Sequence, residues 1–243
     1  MNPTKKKSKR AQLAELDAVI EEFRRPKREG WVEATERAGN CLVALRERGF
    51  EPVIERTKPW VDFLASNSAP VVLERKPASA RELDQIETDL KTALPVSYRE
   101  FMTTWGSAKF MRLNQADEAA FVLKLNQSKR ASQRLRKPFS KAFNDQSKAP
   151  RRQKWVPGEA RTLTTEEASR ALLWPVCPFY TGAFAIALGL GDDTDHAPVL
   201  CWTPDSMPEE VMPYGHTMFE WFSEMVDWTI REMTDWVGAN LTS

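Results

Sequence analysis

The run Gly191-Asp192-Asp193-Thr194-Asp195-His196 is where this 243-residue chain comes nearest to a metal loop, because carboxylates and imidazole are ordinary metal ligands. It lacks the central glycine and distal glutamate of an EF-hand loop, and Asp, Gly and Thr also gather in turns for backbone reasons. The run therefore reads as a turn, with no metal expected. His196 and His216 are the only histidines. Neither is framed by a G-x-S-x-G elbow or a comparable arrangement that would hold a base against a Ser or Cys nucleophile. No G-x-x-x-x-G-K-[ST] is present, and no G-x-G-x-x-G follows a strand, so nucleotide binding has no motif. Cys41, Cys177 and Cys201 are odd in number and lack C-x-x-C spacing. They read as reduced, buried thiols; a Cys177–Cys201 bridge stays open, since it depends on the two segments lying side by side. The expectation is a protein without catalytic residues, cofactor or metal.

What remains is the chemistry of charged and aromatic surfaces. Between residues 126 and 161 eleven Lys and Arg stand against Asp145 and Glu159, a balance of +9. Ser, Gln and Pro are scattered through this stretch, which reads as a mobile surface insertion. Trp155 and Phe139 lend it some of the aromatic interleaving that single-stranded nucleic acid uses. No recognition helix runs through it, so a solvated loop, or an internal partner for acidic residues, is the preferred reading. From Asp192 to the end eleven Asp and Glu face Arg231 alone, a balance of −10. The net charge of +1 hides this asymmetry. Asp192, Asp193, Asp195, Glu209 and Glu210 are the expected acidic contact residues, joined by Trp221, Glu224 and Trp228 on a closing helix. Aromatic anchors inside a charged rim suit protein recognition. The bland alternative buries both stripes of that helix, the second beneath the N-terminal helices.

The elements that must carry these residues follow from periodicity. Leu13, Leu16, Ile20 and Phe23 recur at helical steps over residues 11–24, and Pro26 and Gly30 break the pattern. A second helix spans about 31–48, with Val32, Ala38, Cys41, Leu42 and Leu45 inward and Gly49 ending it. Ser79 and Glu82 form a capping box, followed by Leu83, Ile86 and Leu90. The Leu94-Pro95 step is expected to stop that helix and Pro95 to open the next. Tyr98, Phe101, Met102 and Trp105 line the second helix, and Gly106 suits a left-handed cap. Strands are expected near 109–113, 121–125, 184–190 and 199–202. Thr164 and Glu167 form another capping box, predicting a short helix through Leu172 and Leu173. Thr217 with Glu220 opens the final helix. Phe219, Phe222, Val226, Ile230 and Met233 form its core stripe, and Trp221, Met225 and Trp228 form a second.

A capped helix, then LP, Y-R-x-F and a W-G close resembles the SUKH superfamily. Trp60 and Phe63 in PWVDFL, the segments FAIAL and APVLCW, and TMFEWFSEM are similar to its leading helix, paired strands and closing helix. The resemblance covers most of residues 58–235. It implies an α+β fold, with a mixed or antiparallel sheet packed against helices and no catalytic residues. On this reading residues 1–56 are an N-terminal helical extension and 57–243 the SUKH-like domain carrying the basic insertion. It also implies a bacterial immunity protein that binds a cognate polymorphic or contact-delivered toxin and occludes its active site. Charge complementarity favours a nuclease as that toxin. Two alternatives stand: a scaffold or regulatory adaptor of the same fold, and a nucleic-acid-binding protein acting through residues 126–161. No apolar run approaches the roughly 20 residues of a membrane span. KKKSKR leads into a polar-faced helix instead of a signal-peptide core, so the expected location is the cytoplasm.

Overall fold

Periodic stretches of the sequence become helices in the computed structural model, which describes residues 8–26, 29–91, 93–111, 120–124, 172–175, 183–186, 199–202, 212–215 and 218–241. The basic stretch 126–161 and the acidic run Gly191–His196, with their expected insertion and turn, lie outside the described residues, as do Cys177 and His216. The helices are α1 (Lys9–Glu22), α2 (Trp31–Leu45), α3 (Glu51–Arg56), α4 (Lys58–Asn67), α5 (Ala80–Leu90), α6 (Val96–Thr104) and α7 (Met218–Asn240). Between α2 and α3 one wider helical turn, Arg46–Phe50, holds Gly49 at φ +90°. Strands β1 (Val71–Leu73), β2 (Ser107–Met111) and β3 (Ala120–Lys124) form one sheet in that order. A second sheet runs β4 (Leu172–Pro175), β5 (Ala183–Ile186), β6 (Val199–Trp202) and β7 (Met212–Gly215), antiparallel throughout. Helices and sheets together make an α+β chain.

The chain divides into two compact units. One comprises residues 1–72, 110–121 and 225–243. Here α1 and α2 share a core with the later turns of α7: Leu16, Val19, Ala38, Cys41, Leu45, Trp60, Phe63, Val226, Met233 and Val237 are all buried. The N-terminal helices are thus completed by residues from the far end of the chain. Trp236 ties α7 to the start of α4 by donating Nε1–H to Thr57 Oγ1 at 2.9 Å.

The other unit comprises residues 73–109 and 122–224. Its helical hairpin opens on the expected capping box. Ser79 Oγ accepts the Glu82 amide at 3.3 Å, and Glu82 Oε2 accepts the Ser79 amide at 2.8 Å. Leu83, Ile86, Tyr98, Phe101 and Met102 are buried. Ser97 Oγ accepts the Met218 amide at 3.2 Å, satisfying one of the orphan donors that open α7. Phe101 and Phe222 pack with ring centroids 6.1 Å apart.

Several expectations are corrected. Leu13 and Ile20 are 37 % and 40 % exposed, because α1 seats on Leu16 and Val19, one step around from the stripe read in the sequence. Val32, in the first turn of α2, is also exposed. Helix α5 stops at Leu90 with Lys91 in the left-handed region, before the Leu94-Pro95 step. Pro95 is the extended residue ahead of α6 and not its first turn. Leu172 and Leu173 belong to a strand, where they pair with Ile186 and Ala185. A distant strand partner decides such a short apolar run, and no local pattern reveals it. Strands β4 and β7 occupy the two edges of their sheet, which is where Pro175 and Pro213 are tolerated.

The α5 cap has a pH signature. Hydrogen bonds from the Ser79 amide, and then from its hydroxyl, hold the Glu82 carboxyl below the usual carboxylate range. A folded value below the unfolded one means that the cap stabilises α5 at higher pH and weakens as pH falls through the folded value. Protection factors of the amides in the first turn of α5, with the intrinsic pH dependence of exchange divided out, should therefore fall on acidification, and Glu82→Gln should abolish that fall. Equal pH dependence in the variant would remove the carboxylate from the account.

Candidate functional site

Helix α7 carries the aromatic–acidic candidates, and its periodicity decides their fate. Met218, Trp221, Phe222 and Met225 recur on one side and are all buried. Trp221 has 0 % exposure, so the expected docking anchor is a core residue. Trp221 lies three residues from Met218 and four from Met225, so it shares their side of the helix, and that side is the one packed inward. Glu224 and Trp228 are half-buried at the band's margin. Asp192, Asp193, Asp195, Glu209 and Glu210 lie outside the described residues.

One of the C-terminal acids is committed internally. Asp227 Oδ1 meets Arg37 of α2 at 2.7 Å, and Arg25 lies 3.9 Å from its other oxygen. Arg37 also makes a two-pronged pair with Glu29, from Nε at 3.0 Å and from Nη2 at 2.9 Å, and its Nη1 donates to the Phe23 carbonyl at 3.1 Å. The Glu29 and Arg37 side chains are only 4 % and 10 % exposed. Burial works against the Arg37 charge, but hydrogen bonds from Arg37 to Glu29 and Asp227 and the charges of those acids outweigh it, holding the guanidinium above its ordinary value. Planar bidentate geometry of this kind is what arginine provides and lysine does not. The network is a structural tie between α2 and α7.

Beside it lies an open cleft of about 370 Å³ lined by Phe23, Pro26, Glu29, Glu33, Glu36, Arg37 and Asn40. Its two most buried charges, Glu29 and Arg37, neutralise each other. Cys41, one turn beyond Arg37 on the same helix, is buried and forms no disulfide. Burial pushes its thiol up to about 12 in spite of Arg37 and Arg48, so it holds little thiolate at neutral pH and is a poor nucleophile. Among the described residues no group of three or more His, Cys, Asp or Glu is placed to hold a metal ion. Among the same residues no helix is long and apolar enough to cross a membrane.

Sequence reasoning missed the Arg37–Glu29–Asp227 network and the Ser97 cap on α7. Ser97 lies inside α6 and its partner Met218 is 121 positions further on, so no local pattern announces that bond. Arg37 and Asp227 are 190 positions apart, and their spacing carries no signal either. Compared with protein-family models, with curated proteins and with solved structures, the chain matches none.

Proposed function

We propose that this chain is a non-catalytic binding protein of the bacterial immunity type, a cytoplasmic SUKH-like domain that neutralises a cognate toxin by covering its active site. The observation that carries the reading is the charge reversal along the chain, +9 over residues 126–161 and −10 from Asp192 onward, within a net charge of +1. The order of the hairpin, strand and closing-helix motifs over residues 58–235 supports the same reading. The contact set is Asp192, Asp193, Asp195, Glu209 and Glu210 with Glu224 and Trp228; Trp221 is a core residue and is left out of it. An acidic surface of this kind fits the basic cleft of an enzyme that acts on nucleic acid, and it raises the encounter rate before any close contact forms.

The test begins with the protein that co-purifies from the native host and with whether this chain rescues cells that express it. With that protein in hand, the association rate should fall as ionic strength rises, because charges are screened beyond about 8 Å at physiological salt. Converting Asp192, Asp193 and Asp195 together to Lys should slow association by roughly tenfold or more while the thermal midpoint stays in place. An association rate indifferent to salt would remove the acidic surface from the mechanism. A gel shift with single-stranded nucleic acid that disappears on deletion of residues 126–161 would transfer the function to the basic segment.

A further inference from the structure

Helix α1 is held far more lightly than the helix it packs on. Of its fourteen residues only Leu16 and Val19 are buried, against six of fifteen in α2. Leu13 and Ile20, on the neighbouring side of α1, face solvent. Among its polar ties are an exposed ion pair from Glu22 to Arg48 and the Phe23 carbonyl that receives Arg37. Exposed ion pairs contribute little to stability. A helix of this length is also marginal in water on its own, so once lifted it melts. Its seat is specific nonetheless: a Cβ at Gly238 of α7 would come within 3.2 Å of Leu16 Cδ2, so the glycine makes room for that side chain.

We infer that α1 is a reversible strap over α2 and the end of α7, lifting and melting as one piece while the remainder of its unit stays folded and uncovering the apolar seat of Leu16 and Val19 together with Cys41. The strap ends near the thiol: the carbonyl of Phe23, which closes α1, accepts from Arg37 Nη1 at 3.1 Å, and Arg37 is one turn before Cys41 on α2. Cys41 is therefore a built-in reporter of the open state, unreactive while α1 is down.

The experiment uses the full chain and two readouts. Amide exchange followed by mass spectrometry should show residues 9–22 exchanging about 100-fold or more faster than the buried turns of α2 and α7. Peptide-resolved alkylation with iodoacetamide should show Cys41 reacting on the timescale of α1 opening and not of global unfolding. Leu16→Ala should accelerate both at least about tenfold without quickening exchange in α7, and Val19→Ala should do the same. Exchange of α1 in step with α2 would overturn the strap, since the two would then open as one body. Rapid α1 exchange with Cys41 protected until global unfolding would overturn it too, because α1 would then cover something other than the thiol.

Discussion

Gly106→Ala should disrupt the unit that contains it. Gly106 sits at φ +76°, and a Cβ there would lie 1.7 Å from the Lys76 carbonyl oxygen and 2.5 Å from its carbon. Neither atom belongs to a flexible side chain, so relief requires the 74–78 backbone to move. That backbone is held to residues 102–107 by Lys76 N–H to the Trp105 carbonyl at 2.9 Å, Ala78 N–H to the Met102 carbonyl at 2.8 Å and Glu74 N–H to the Ser107 carbonyl at 3.0 Å. Left-handed strain of about 1 kcal/mol combined with the loss of two such bonds predicts a destabilisation of about 3 kcal/mol or more. Gly49→Ala is the control, because Gly49 also has positive φ (+90°) but nothing lies within 4 Å of its would-be Cβ. It should lose only about 1 kcal/mol. Denaturant midpoints of the two variants decide the matter: equal losses would mean that the Lys76 carbonyl gives way freely and that the hairpin is not pinned at this point.

Trp221→Ala should be the most damaging side-chain truncation on α7, removing a fully buried indole and costing about 3–5 kcal/mol. Trp228→Ala, at the half-buried margin, should cost about 1 kcal/mol. The two functions separate in a binding measurement made well below the unfolding midpoint. There Trp221→Ala should lose affinity only in proportion to the fraction unfolded, whereas Trp228→Ala should lose it while fully folded. A stable Trp221→Ala protein that no longer binds would return that indole to the contact surface. The burial of Trp221 also narrows what the proposed toxin contact is made of: acids with one marginal tryptophan, and no paired aromatic anchors.

The hairpin around α5 and α6 was legible because its determinants are local. Ser79 and Glu82 are three residues apart, Gly106 ends a helix that Tyr98 and Phe101 began, and apolar spacing marks the buried side of each helix. The pairing of Ala183–Ile186 with Val199–Trp202 was legible as well, as two short apolar strands separated by turn residues. Other features depended on partners far along the chain. Leu172 and Leu173 satisfy a helical and a strand reading equally until Ile186 and Ala185 arrive beside them. The two stripes of α7 look alike in sequence, and only the surrounding elements decide that Trp221 and Met225 are covered while Trp228 stays half-buried.

By itself, then, the order of residue types determined where the capping box opens α5, which glycine must adopt a left-handed turn, and that charge is divided unevenly between two stretches of the chain. Tertiary structure alone decided that Trp221 is core, that Asp227 pairs with Arg37 in place of facing a partner, and that α1 rests on two side chains. The physical reason is range. Capping and helical periodicity act within a turn, over a few residues, whereas burial and ion pairing depend on which distant segment arrives alongside.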